Sequence, residues 1–162
     1  QKFGFEDVVS TPLPNNEDLR LLGYIDRMDQ LADGRVVVID YKSGSSSAGI
    51  PTSEMERGRN FQMMVYLLAA QALLRDRGVE VAGGAFWHIS DNKLSGKIKV
   101  ENLDDDPTIA QAKDHIVRYL ELARNGDFSV QANKLDDGKC YKYCDFYQLC
   151  RISVTNQYKR NH

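Results

Sequence analysis

The sequence predicts an α/β fold, a mixed β-sheet with helices packed against it. Three observations lead there. An apolar run, Val36-Val37-Val38-Ile39, ends in the charged triplet Asp40-Tyr41-Lys42; apolar residues recur at helical spacing from Asn60 to Arg77; and a second apolar run, Val79 to Ser90, is followed by the alternating Ser95 to Glu101. Strand, strand, strand, helix, strand, strand, helix is the order expected of a mixed sheet carrying helices.

In chain order, Phe3, Phe5 and Val8-Val9 suggest a first strand over Gln1 to Val9, and Pro12, Pro14 and Asn15-Asn16 a loop behind it. Leu19 to Leu31 is expected as the second strand and Arg35 to Lys42 as the third. Between them, Ala32-Asp33-Gly34 has the composition of a three-residue hairpin loop with Gly34 in the left-handed region. In that register Leu31 pairs with Arg35, and Asp26 falls opposite Asp40. Ser43 to Gly49 is polar and flexible and is expected to be a mobile loop that gates the site.

The helix over Asn60 to Arg77 places Phe61, Met64, Val65, Leu67, Leu68, Ala72 and Leu74 at helical spacing, with Gly78 as its C-cap. Gln62 and Tyr66 stand four apart and share a face of it, as a site pair or as a solvated glutamine beside a core tyrosine. The fourth strand, Val79 to Ser90, has Gly83-Gly84 for a bulge and contains His88, read as a satisfied structural histidine. Asp91-Asn92 turns the chain into Ser95 to Glu101, an edge strand in which Ile98 and Val100 alternate with Lys97 and Lys99. Asp106 caps a last helix that has Pro107 at its first position and ends near Asn125-Gly126; Asp104-Asp105-Asp106 is therefore assigned to the helix dipole rather than to a metal.

With 162 residues and ordinary hydrophobic and charged fractions the chain is of one-domain size. Its net charge of −2 gives no basic field, so nucleic-acid binding would rest on local patches or metal ions. No apolar run approaches a membrane span and no signal peptide is visible, so an intracellular, cytoplasmic location without membrane contact is expected. The three cysteines, Cys140, Cys144 and Cys150, are odd in number and crowded near the end, which suggests a metal or cluster site. Because the chain begins at Gln1, it is read as a piece of a longer protein.

Asp40 and Lys42 point to one face of their strand, and Asp26 faces Asp40 across the hairpin. Facing carboxylates repel unless Lys42, Arg27 or a divalent cation offsets them. Two carboxylates and a lysine fit metal-assisted phosphodiester hydrolysis, with Asp26, Asp40 and the Tyr41 carbonyl on Mg²⁺ or Mn²⁺ and Lys42 orienting water or stabilising the phosphate. They fit a strand-end salt bridge of Asp40 with Lys42 or Arg27 as well.

Gly23-Tyr24-Ile25-Asp26-Arg27-Met28-Asp29, Ile39-Asp40-Tyr41-Lys42-Ser43-Gly44 and Gln62-Met63-Met64-Val65-Tyr66 resemble, in order and approximate spacing, the motifs of the RecB-type branch of PD-(D/E)XK nucleases. The resemblance implies a restriction-endonuclease-like α/β fold, a central mixed sheet flanked by helices, over a core at 1–131 whose N-terminal part lies before Gln1. It implies metal at Asp26 and Asp40, a catalytic Lys42, and Gln62 and Tyr66 lining the site. The cysteine segment at 132–162, taken as part of the same domain, resembles that of AddB-like members, where Cys140, Cys144 and Cys150 would bind a [4Fe–4S] cluster whose fourth thiolate comes from upstream. The cluster is accordingly expected to be incomplete here, with structural zinc and free thiols as alternatives. The implied activity is that of a Mg²⁺- or Mn²⁺-dependent deoxyribonuclease, exonuclease favoured over endonuclease. It would be the nuclease domain of a helicase–nuclease acting in double-strand break repair and recombination, with DNA and a helicase as partners. The alternatives are a nuclease-like DNA-binding or docking domain inactive in isolation, and an iron–sulfur or metal protein whose function lies in the tail.

Overall fold

The computed structural model describes residues 1–46 and 52–128. The chain divides into two compact units, Gln1–Leu122 and Ala123–His162, and the architecture below is that of the first. The cysteine segment and the second half of the Ser43 to Gly49 loop lie outside the described residues.

The first two expected strands are each subdivided. The N-terminal stretch gives β1 (Lys2–Phe3) and β2 (Val9–Pro12), separated by bends over 4–7. The stretch from Leu19 to Leu31 gives β3 (Asp18–Leu21), β4 (Gly23–Tyr24) and β5 (Arg27–Gln30). Pairing explains the breaks. Strand β3 pairs antiparallel with β2, β4 with β1, and β5 with β6 (Val36–Lys42), so one continuous segment serves three partners and must turn between them. Pro12, expected in the loop, closes β2 opposite Asp18.

The main sheet is mixed and has four strands in the order β5-β6-β7-β8, with β7 at Val81–His88 and β8 at Lys93–Lys99. Strands β6 and β7 run parallel, which requires a crossover between them. That crossover contains a short helix not foreseen from sequence, α1 (Thr52–Glu56), and then α2 (Gln62–Leu74), which tightens into a 3₁₀ turn at Arg75–Arg77 and stops at Gly78 with φ of 63°. Helix α2 buries Met63, Met64, Leu67, Leu68, Ala69, Ala70 and Leu74 all round its axis, as a central helix does. With Val36, Val38 and Phe86 of the sheet it forms the core, to which Ile109 and Ala112 of α3 (Pro107–Arg124) also belong.

The expected details of local chemistry are present. Asp106 Oδ1 accepts from the N–H groups of Thr108 (2.9 Å) and Ile109 (3.1 Å), an N-cap for α3. The ladder register shifts between Gly84 and Phe86 on the β8 side, and Gly84 has no room for a side chain: a Cβ there would lie 2.5 Å from Met63 Sδ and 2.9 Å from the Val38 carbonyl oxygen. The end of β8 alternates as an edge strand should, with Lys97 and Lys99 exposed and Ile98, like Val100 just beyond the strand, buried. Among the described residues no helix is long and apolar enough to cross a membrane.

Candidate active site

The hairpin between β5 and β6 closes as its composition predicts. Leu31 N–H donates to the Arg35 carbonyl (2.8 Å), Gly34 N–H to that of Leu31 (3.0 Å), and Gly34 sits at φ of 90°, where an L side chain would be strained. The register that follows pairs Arg27 with Ile39 and Met28 with Val38. Continued by one residue it sets Asp26 opposite Asp40. Asp26 lies just before the ladder, and its carboxylate completes the ladder's end: Oδ2 accepts from the Tyr41 N–H at 3.0 Å.

Asp40 is 4% exposed, the only buried acid among the described residues, and is set beside Phe86 by the parallel pairing. Lys42 is anchored on the same face by three contacts. Its Nζ is 2.8 Å from Asp40 Oδ2, donates to Gln62 Oε1 at 2.7 Å, and lies 5.0 Å from the centre of the Phe86 ring. Gln62, the first residue of α2, joins the set together. Its Nε2 donates to Asp40 Oδ1 (3.1 Å) and to the Tyr66 hydroxyl (3.0 Å) while its Oε1 faces the ammonium, so only one orientation of the amide satisfies both charges. Asn60 fixes where the helix begins by accepting from the Gln62 N–H at 3.0 Å. Gln62 and Tyr66 are thus half-buried partners rather than a solvated edge and a core residue.

The strand-end salt bridge therefore exists between Asp40 and Lys42. Arg27 takes no part in it: alternation turns Arg27 to the other face, where Asp29 holds it through Nε to Oδ1 (2.7 Å) and Nη2 to Oδ2 (2.7 Å). That hydrogen-bonded pairing raises the Arg27 guanidinium still further above its ordinary range. Of the two local cations only Lys42 can offset the facing acids.

One atom tests whether these residues suit a divalent cation. Asp40 Oδ2 is buried and receives no aligned hydrogen bond, although the Lys42 charge lies beside it. A buried carboxylate oxygen whose one partner is an ammonium 2.8 Å away also suits a hard cation that prefers oxygen ligands. Among the described residues no three His, Cys, Asp or Glu side chains converge; Asp40 is buried, whereas Asp26 is exposed and its Oδ2 is engaged by the Tyr41 N–H.

His88 is structural, as expected. It is 4% exposed, and its Nδ1 lies 2.9 Å from the Gly44 carbonyl and its Nε2 2.7 Å from Ser95 Oγ. It ties the bend that follows Lys42 to β8. Sequence reasoning missed Asp91, taken only as a turn residue. Asp91 Oδ2 accepts from Ser45 Oγ (3.3 Å), the Ser46 N–H (3.1 Å) and Ser46 Oγ, so the first part of the expected mobile loop is tied down. The Ser46 hydroxyl, foremost, holds the Asp91 carboxyl below the usual carboxylate range. The signal available was the serine run itself, which seeks acceptors where the chain turns back.

A mixed sheet with helices packed on it, bearing an acid, an acid and a lysine at the end of adjacent antiparallel strands, is a restriction-endonuclease-like α/β fold. Comparison with protein families gives the same result: the chain belongs to the PD-(D/E)XK nuclease superfamily, whose description matches residues 1–151. Members of that superfamily use divalent metals. Among individual proteins, an ATP-dependent helicase/deoxyribonuclease subunit from Streptococcus equi subsp. zooepidemicus is 34% identical over 112 residues, 69% of this chain and 9% of that protein. Proteins of the same name from Clostridioides difficile (32% over 130 residues, 78% of this chain and 11% of that protein) and Streptococcus uberis (24% over 156 residues, 91% and 14%) are similar. The chain spans between 9% and 14% of the length of these relatives.

Proposed function

We propose that this chain is a Mg²⁺- or Mn²⁺-dependent deoxyribonuclease domain of a cytoplasmic helicase–nuclease, acting on DNA in double-strand break repair and recombination, with exonuclease action favoured. The observation that carries the reading is the buried Asp40 carboxylate ion-paired with Lys42, in a register that sets Asp26 opposite it at the end of the neighbouring strand. Names of the similar proteins support the DNA substrate and the helicase partner.

In this reading Asp26, Asp40 and the Tyr41 carbonyl hold the metal, which when bound polarises the phosphate and lowers the pKa of its water. Lys42 keeps a proton at Nζ and presents positive charge where the phosphate develops negative charge, while orienting the attacking water. Gln62 positions both charged groups through its amide, and Tyr66 fixes that amide in turn. Cys140, Cys144 and Cys150 are proposed to supply three thiolates to a [4Fe–4S] cluster in a Cys-containing segment at 132–162 that completes the domain of 1–131.

The test is cleavage of linear and circular DNA with Mg²⁺ or Mn²⁺ by wild type, Asp40→Ala and Lys42→Ala. Metal-dependent cleavage that requires linear ends and is lost in both variants is expected. Undiminished cleavage by both variants would overturn the assignment. A second reading, a DNA-binding or docking domain inactive in isolation, is favoured by the protein's offering only two carboxylates among the described residues. DNA binding without cleavage at any metal concentration would select it.

A further inference from the structure

Gln62 holds both charged members of the site, so whatever fixes the start of α2 bears on them as well. That start follows a corner between α1 and α2, from Arg57 to Phe61. The corner spends its N–H groups locally: Gly58 donates to the Met55 carbonyl (2.9 Å), and Arg59 (2.8 Å) and Asn60 (3.2 Å) donate to that of Glu54. Two of its carbonyls are taken by α3. His115 Nε2 lies 2.8 Å from the Glu56 oxygen, and the Tyr119 hydroxyl donates to the Gly58 oxygen at 3.0 Å. A carbonyl only accepts, so the His115 proton sits on Nε2. His115 and Tyr119 stand four apart on α3 with their rings stacked (6.3 Å, 22°), and the Tyr119 ring meets that of Phe61 edge-on (6.1 Å, 79°). Gly58 is buried at φ of 68°, and a Cβ there would come 2.7 Å from His115 Cγ, so α3 lies directly on the corner.

We infer that Tyr119 and His115 are positioning residues for the cutting site, which they reach through the α1–α2 corner and Gln62. The inference rests on the reading of Asp40 and Lys42 as that site. The links are consecutive. Tyr119 and His115 hold the corner backbone at Gly58 and Glu56. Asn60, two residues after Gly58, accepts from the Gln62 N–H at 3.0 Å. Phe61, against which Tyr119 packs, precedes Gln62 and accepts from the Val65 N–H at 2.9 Å, within the first turn of α2. Gln62 then donates to Asp40 and accepts from Lys42. Helix α3 is docked on the core by Ile109 and Ala112, both buried, so the hydrogen bonds from His115 and Tyr119 serve to set where the corner lies rather than to hold the helix on.

Tyr119→Phe removes one hydroxyl and keeps the ring. In single-turnover DNA cleavage by the full chain it is expected to lower kcat about 2- to 12-fold. KM should change little, because neither α3 residue touches phosphate in this reading. His115→Leu is expected to lose a similar factor, and His115→Gln, which keeps an N–H donor, to recover most of it, with circular dichroism confirming that each variant is folded. In a Gln62→Met background Tyr119→Phe is expected to add no further loss, since the route is already cut. A readout apart from cleavage is the side-chain amide resonance of Gln62 in isotopically labelled chain, assigned by its disappearance in Gln62→Met; it is expected to shift in Tyr119→Phe. A folded Tyr119→Phe chain with wild-type kcat overturns the inference, as do losses that multiply in the double variant. An unmoved Gln62 amide resonance overturns it too, and if cleavage by wild type is intact the nuclease reading then stands without it. A shifted resonance in a chain that cleaves no DNA upholds the positioning of Gln62 and removes activity of the isolated chain.

Discussion

Replacing Gln62 by methionine removes the one side chain that touches both charged members of the site and the tyrosine behind them. It deletes the bonds to Lys42 Nζ (2.7 Å), Asp40 Oδ1 (3.1 Å) and the Tyr66 hydroxyl (3.0 Å) while keeping much of the shape. Two of these bonds go to charged groups, each contributing about 1.5–3 kcal/mol when well formed. If the loss of one such bond is felt in the transition state, through a Lys42 no longer held toward the phosphate, kcat falls about 10- to 150-fold. KM should move far less, because Gln62 positions Lys42 and touches no phosphate in this reading. Stability should fall too, since the buried Asp40 would keep only its ion pair with Lys42 and leave Oδ1 without a donor; about 1–3 kcal/mol is expected, or roughly 2–12 °C in Tm. Gln62→Glu separates position from polarity. It retains an acceptor for Lys42 but sets a carboxylate oxygen against Asp40, so it should lose at least as much activity as methionine. The assay is single-turnover cleavage of an end-labelled oligonucleotide at saturating metal, alongside a thermal melt. A folded Gln62→Met protein within threefold of wild-type kcat would refute the positioning argument.

Three further outcomes follow from other parts of the structure. Gly84→Ala would drive a Cβ against Met63 Sδ and the Val38 carbonyl oxygen, and calorimetry should show about 1–3 kcal/mol of destabilisation; an unchanged Tm would show that α2 can lift off the sheet at no cost. Asp91 contributes stability above its ordinary pKa of 3.8, and this contribution is lost as pH falls through the lower folded value. The stability difference between wild type and Asp91→Asn should accordingly shrink on going from about pH 5 to about pH 2, and a constant difference would contradict the Ser45–Ser46 anchor. A longer protein that includes the upstream segment, purified without oxygen, should retain iron and sulfide with absorbance near ~400 nm, reduced by Cys144→Ser; equal iron in both proteins would remove the cluster assignment.

Much of this was legible in short-range chemistry. The Gly34 turn fixed the facing of Asp26 and Asp40, Asp106 with Pro107 marked the start of α3, and four-residue spacing put Gln62 and Tyr66 on one face. Family motifs then named the same residues. The remainder depended on partners distant in sequence. Leu19 to Leu31 has the composition of one strand, yet Leu22 is 61% exposed and the strand is interrupted there because β3, β4 and β5 answer to three different neighbours. The facing of Tyr41 and Trp87 was invisible because it requires the parallel register of β6 on β7, which no local pattern encodes. Arg27 was a candidate partner for Asp40 until alternation placed it on the other face with Asp29.

The parallel pairing of β6 with β7 also has a kinetic side. The Asp26 and Asp40 register closes through a tight hairpin, whereas the Lys42–Gln62 contact and the Phe86 wall close only after the crossover through α2 is in place. Local hairpins form in microseconds, and loops of some tens of residues delay the contacts they span. The hairpin is therefore expected to set Asp26 opposite Asp40 before Gln62 and Phe86 fix the position of Lys42.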